Sequence, residues 1–448
     1  MRCPLLVLIG MVLLPSSGAA QRDGRCLLQV LNVDRQGVGF QPSPGVQNYY
    51  AGGNVRMRCV GQEVRMWSDS VASYQGQVIQ FIGKVRYRDS TVEMTADFGT
   101  YFRDTDRWEA RGSVILTNRA NGSVLRGPTL DYLRPAAGVR DTSEMFADLR
   151  PTITLPARDS LQQAGEPYVI VGDRIRVRGD TRIYAGGRVT IDRTDLEARG
   201  DTLFLDTGAG SRGTLMGTAS VRRTAADSFD LKGRQIDLTL EGREVTYVLA
   251  RGESHLRATE LDLLADTIGV DVNARKVEQI VAWGDSLRPA AQSSEGFEVR
   301  GDSVAFDTPG QRLTEARAFG NGWMGAKPDS IGGERDFVAG DTVTVSFRAD
   351  ADSTGAPRTL LDSLQARGNA LALYRLLQPP PNDGGRLAIV YTRAASILIT
   401  MKIGTDGQST VDQVRSIGDV DGIHLQPTAI VADTSATVRP RRPPGPPR

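Results

Sequence analysis

The chain has 448 residues, an almost even charge balance of 54 Lys plus Arg against 53 Asp plus Glu, and only 6% aromatic residues. Interleaved, balanced charge argues against a nucleic-acid partner, because phosphate backbones are met by a basic excess on one face. His255 and His424 are the only histidines and neither has a Cys or second His nearby, so the sequence offers no metal-ligand pattern. No cofactor is expected.

At the amino terminus Arg2 precedes an apolar run, Leu5 to Leu14, followed by Pro15 and the small residues Ser16 to Ala20. This is the pattern of a signal peptide, residues 1–20, with cleavage near Ala20. The run is too short for a comfortable membrane span and no later segment approaches one, so the expectation is an exported chain with no transmembrane segment. Cys26 and Cys59 then remain as the candidates for one disulfide in an oxidising compartment, against the alternative of two separately buried thiols.

From about Gly53 onward two phrases alternate. One places a small residue and an Asp before alternating apolar positions, as in "TADFGTYF" (Asp97), "VGDRIRV" (Asp173), "RGDTLFLD" (Asp201), "LADTIGVDV" (Asp266), "RGDSVAFD" (Asp302) and "AGDTVTVSF" (Asp341). The other ends in a small residue and Gly, as in "WEARGSVIL" (Gly112), "RIYAGGRVTI" (Gly187), "GTLMGTASV" (Gly217), "VLARGESHL" (Gly252), "IVAWGDSL" (Gly284), "ARAFGNGW" (Gly320) and "LQARGNALAL" (Gly368). From Gly187 to Gly320 the glycines step by 30, 35, 32 and 36 residues, the period of stacked supersecondary units.

After each Asp the apolar residues fall on alternate positions: Ile175 and Val177, Leu203 and Leu205, Ile268 and Val270, Val304 and Phe306, Val343 and Val345. Period two means strands with one buried face. "DTGAGSRG", "VNARK" and "DTPGQR" read as the turns between them. The fold class expected is all-β, a repetitive antiparallel rolled sheet of the open β-jellyroll or solenoid kind. Two segments are expected, 21–150 and 165–425, joined near Pro151 to Pro167, either as one roll or as two consecutive ones. The Pro/Arg-rich residues 433–448 cannot build a core and read as a disordered tail.

The paired phrases resemble the OstA-like family of periplasmic lipopolysaccharide-transport β-jellyroll proteins. The likeness lies in the tandem "A-D-x-φ-x-φ" strand followed by "φ-x-A-x-G-x-φ", with φ apolar, between about Gly53 and Gly418. Two departures stand out: Arg234 occupies the place of the Asp in "LKGRQIDLTL", and "RADADSTGAPR" interrupts the unit opened by Asp341. The resemblance implies a non-catalytic carrier whose apolar groove takes the acyl chains of lipopolysaccharide or a related glycolipid. It also implies edge-strand pairing with other β-jellyroll transport proteins. The groove-lining candidates are the ten alternating residues named above.

Sharper motifs give way to plainer readings. "GAGSRG", Gly208 to Gly213, matches a dinucleotide fingerprint but runs into a strand pattern where that motif needs a helix. "DADSTG", Asp350 to Gly355, begins like a calcium loop but has Leu361 where the bidentate Glu belongs. The recurring aspartates read as turn caps, since a position repeated in every unit is not one active site. The other functions weighed are an inert extracytoplasmic β-solenoid scaffold or adhesin without lipid, and a carbohydrate-active solenoid, which the dispersed Trp67, Trp108, Trp283 and Trp323 do not favour.

Overall fold

The computed structural model describes residues 26–426, apart from residue 137 and segments 159–163, 225–228, 242–243, 294–295, 310–311, 327–335, 352–356, 378–386 and 404–408. The signal peptide, the Pro/Arg tail and most of the "DADSTG" segment lie outside the described residues. Among them there is no α-helix, and no helix long and apolar enough to cross a membrane. The protein is all-β and antiparallel, as the period-two alternation requires.

Two compact units divide the chain: one runs up to Leu149 and includes Arg176–Asp180, and the other holds Arg150–Ile175 and the chain from Thr181 on. The boundary thus sits at Leu149/Arg150, and a five-residue piece from the expected second segment belongs to the first unit.

In the first unit the strands from Val46–Cys59 through Val124–Leu133 each pair antiparallel with the next. A disulfide joins Cys26 to Cys59, with Cα atoms 5.0 Å apart, beside the register pair Leu28↔Cys59. The interior is aromatic. Trp108 is fully buried, with the rings of Phe81 and Tyr87 each 4.9 Å from its own and Tyr101 at 5.5 Å.

In the second unit the strands from Arg182–Arg193 to Leu261–Asn273 form a continuous antiparallel run, with Leu203 opposite Leu215 and Ala198 opposite Val221. Leu261–Asn273 then pairs with two short strands, Lys276–Trp283 along one half and Ala290–Ser293 along the other. The run resumes through Glu315–Ala326, Phe337–Ala351, Pro357–Leu377 and Leu387–Ile403.

The two repeated phrases meet at one place. The ladder slips between Thr95 and Phe98, where Asp97 faces Gly112 of the neighbouring strand. Gly112 and Ser113 both have positive φ, 74° and 46°, and a Cβ on Gly112 would stand 2.5 Å from Asp97 Oδ2. This is a β-bulge that demands Gly twice over, for its backbone and for its space. The same pairing joins Asp173 to Gly187, Asp201 to Gly217, Asp302 to Gly320 and Asp341 to Gly368. These five aspartates therefore face a bulge and do not cap a hairpin turn: Asp97, Asp201 and Asp341 lie within strands, and Asp173 and Asp302 directly precede one. Both features interrupt period two, which is why alternation alone does not separate them. In the repeat of Asp266 the bulge widens into a loop, whose Ser286 and Leu287 amides donate to Asp266 Oδ2 at 2.9 and 3.0 Å.

A line of bulges bends the sheet, since each tightens twist and turns its strand. The inward positions of strand Leu196–Asp206 change phase across it, from Ala198 and Gly200 to Leu203 and Leu205. The extra residue keeps both halves apolar toward the same interior, which makes the second unit a rolled sheet.

Candidate functional site

Nine of the ten alternating residues are buried: Ile175, Leu203, Leu205, Ile268, Val270, Val304, Phe306, Val343 and Val345 are each 8% exposed or less, while Val177 is half-buried. Leu205 lines a cavity of the second unit, and the other nine do not line that cavity.

That cavity has an empty volume of about 1000 Å³, part of it open to solvent. Its wall takes residues from both halves of the bent strands: Ala198 with Leu205, and Phe229 with Leu238 and Leu240. Leu155, Ile170, Ile191, Val221 and Val248 complete the deeper lining. Toward the opening stand Leu196, Leu238, Leu240, Val245, Val272 and Val277, which face the cavity and are only half-buried. Apolar side chains left partly wet in an inward position are the mark of a groove, because a closed core would have covered them.

Five charged residues also line this space: Arg193, Asp195, Arg223, Glu244 and Arg275. Their placement follows from register. Arg193 and Arg223 end strands at one margin of the sheet, beside Leu196. Glu244 and Arg275 belong to hairpins at the opposite margin, where Glu241 pairs with Glu244 and Asn273 with Lys276. Rolling brings the margins together. Arg193 Nη1 reaches Glu244 Oε2 at 3.4 Å and Tyr168 Oη at 2.6 Å, and its Nη2 donates to Asp195 Oδ2 at 3.0 Å. Arg275 Nη2 donates to Glu244 Oε1 at 2.8 Å, and Arg223 Nη1 donates to the Arg275 carbonyl.

Arg193 is 5% exposed, so its charge is held in a largely apolar place. Burial opposes that charge, yet the hydrogen bonds it donates to Asp195 and the charges around it keep its pKa above the ordinary guanidinium value. Desolvation likewise acts to raise Asp195, but the hydrogen bonds it accepts from Arg193 and that residue's charge hold it below the usual carboxylate range. Burial pushes the Tyr168 hydroxyl up to about 12, with Arg193 pulling the other way. The arginine plane lies 4.7 Å above the Tyr168 ring.

The alternating-residue argument passed over this cluster, although a signal for part of it is present. Val189, Ile191 and Arg193 occupy successive inward positions, as do Ala219, Val221 and Arg223, so an arginine ends each inward row. No equivalent cue marks Glu244 or Arg275.

The first unit also holds a cavity, about 1040 Å³ of empty space lined by Leu28, Val55, Met57 and Ile79 with the exposed Leu27, Val30, Tyr49 and Tyr50 at its rim. Beyond it a buried polar knot closes the aromatic interior. Asp89 Oδ2 accepts from Tyr87 and Tyr132 at 2.8 and 2.9 Å, and its Oδ1 accepts the Thr91 and Val92 amides, both at 2.7 Å. Among the described residues no three His, Cys, Asp or Glu side chains group in a way that could hold a metal ion. No protein-family model matches the chain, and no curated protein matches its sequence.

Proposed function

We propose that this protein is a periplasmic, non-catalytic carrier that binds the acyl chains of lipopolysaccharide or a related glycolipid in the rolled sheet of its second unit and passes them toward the outer membrane. The observation that carries this reading is the set of inward-facing yet half-buried apolar residues at the cavity opening, Leu196, Leu238, Leu240, Val245, Val272 and Val277. An acyl chain laid against them leaves water at a gain of about 0.8 kcal/mol per methylene. Sugars and phosphates remain outside, where the wall offers them nothing apolar to displace.

Export is supported by the leader pattern of residues 1–20 and by the Cys26–Cys59 disulfide, a bond that persists in oxidising compartments. Partner β-proteins find a template at the carboxyl end of the described chain, where Ile417, Val420, Ile423 and Leu425 are 57–60% exposed beside the strand Asp421–Leu425. Among the described residues that strand pairs with Leu387–Ile403 alone, and a strand margin open on one side takes up a further strand by main-chain hydrogen bonding.

The test is a photo-crosslinking side chain at Leu205, which lines the cavity, and another at Phe306, which is buried away from it. Protein purified from its native periplasm is irradiated, and adducts and extracted lipid are read by mass spectrometry. Glycolipid captured from position 205 and not from 306 supports the carrier. A lipid-free protein without adducts at either position overturns it in favour of a dry scaffold.

A further inference from the structure

The charged residues of the second unit's cavity are not spread around it. They close the seam where the two margins of the rolled sheet meet. Arg193 and Arg223 stand on one margin, Glu244 and Arg275 on the other, and the contacts that span the seam are Arg193 to Glu244 and Arg223 to the Arg275 carbonyl. With Asp195 this makes three guanidinium groups against two carboxylates, an excess of one positive charge at the mouth of an apolar space.

We propose that this seam is a head-group site and a latch in one: an amphiphile with an anionic head, phosphate or carboxylate, displaces Glu244 from Arg193 and Arg275 and so opens the margin through which its acyl chain enters. The inference rests on the lipid-carrier reading and adds what the cargo must carry at its polar end. Three features argue for it. Glu244 is bound by both arginines at once, by Arg193 at 3.4 Å and by Arg275 at 2.8 Å, so one incoming anion can take both of its partners. Arginine's planar fork suits phosphate and carboxylate oxygens in pairs. The ion pairs within each margin, Arg193 to Asp195 and Arg275 to Glu244, keep the arginines aimed at the seam before any ligand arrives.

Three probes with one chain length and different heads separate the possibilities: dodecyl phosphate, dodecyl maltoside and dodecyltrimethylammonium. Each is titrated by calorimetry into the purified full chain below its micellar concentration. The expected result is dodecyl phosphate bound at least tenfold more tightly than the maltoside, with the ammonium weakest. Glu244→Gln should tighten the phosphate severalfold by releasing the latch. Arg275→Gln, on a side chain 45% exposed, should leave the fold intact and erase the head-group preference. Equal affinity for all three probes, or a phosphate preference that survives Arg275→Gln and Arg193→Gln together, overturns the latch while chain-dependent binding keeps the carrier reading. Binding of none of the three overturns the carrier reading as well.

Discussion

Arg234 donates a hydrogen bond to Glu253 at a bulge where four other repeats set an aspartate against a donor. These four read Asp69 with Lys84, Asp173 with Arg188, Asp302 with Asn321 and Asp341 with Asn369. In each case the first residue packs beneath the bulge glycine, and the second follows that glycine in the chain. The departure in "LKGRQIDLTL" is thus a reversal of sign across a kept contact: the Arg234 methylenes lie 3.0–3.1 Å from a Cβ built on Gly252.

Because both side chains of this reversed pair are more than 70% exposed, solvent screens them and the pair is worth about 0.2–1 kcal/mol. Arg234→Asp alone sets two carboxylates together and should lower the unfolding temperature slightly. Arg234→Asp with Glu253→Arg should restore it. Thermal unfolding of the four-membered cycle at low and high salt measures the coupling, and a coupling that ignores salt would show that charge is not its source.

Gly112→Ala should cost about 2 kcal/mol or more, since φ is +74° and the new methyl would meet Asp97 Oδ2 at 2.5 Å. Gly52→Ala is the control, with open space and an ordinary backbone, and should shift stability little. Asp97→Ala with Gly112→Ala should recover part of the loss by removing the clash. Denaturant unfolding checks all three.

Asp89→Ala should destabilise the first unit by about 3–5 kcal/mol. It strands the Tyr87 and Tyr132 hydroxyls and the Thr91 and Val92 amides without their acceptor, and takes a carboxylate from beside the half-buried Arg134 guanidinium. Tyr87→Phe, which removes one donor and leaves the acceptor its other partners, should cost about 1 kcal/mol. Equal losses from the two would mean that the carboxylate does not organise this interior.

Alkaline pH should unfold the same unit early. Burial, reinforced by the nearby carboxylates Asp89 and Asp106, pushes Tyr87, Tyr101 and Tyr132 well above 10. Below pH 10 both states keep these protons and nothing is lost. Above it the unfolded chain releases protons that the folded chain must retain, so stability falls as pH rises, by up to about 1.4 kcal/mol per pH unit for each tyrosine. Unfolding temperatures should be level from pH 7 to 9 and drop beyond 10, with a smaller drop in Tyr87→Phe and Tyr132→Phe.

Reduction of the disulfide, or Cys59→Ser with Cys26→Ser, should cost about 2–4 kcal/mol, the loop entropy of a 33-residue separation. The loss should appear as a lower denaturant midpoint, with the second unit's unfolding unchanged. A drop shared by both units would assign the bond a wider role.

Period-two alternation was enough to find the strands, because a half-buried sheet surface admits only one pattern of side chains. The repeat spacing announced stacked units for the same reason. The aspartates show where that legibility stops. Asp97 and Gly112 are fifteen positions apart in sequence, and only strand pairing reveals that the two recurring phrases are two sides of one corner.

What the sequence by itself determined is local: strand periodicity, turn positions and an interior made of alternate residues; it offered Cys26 and Cys59 as candidates, and the tertiary structure joined them. Which interior residues are packed and which face open space was decided by the tertiary structure. Phe306 and Leu205 have the same pattern in the chain, yet one is buried in the core and the other lines the cavity. The same holds for Arg193 and Glu244, 51 residues apart, which meet only because a line of bulges rolls one margin of the sheet onto the other. Burial depends on what stands opposite, and that is fixed by how far the sheet curls, a sum of small bends at many bulges that no single segment encodes.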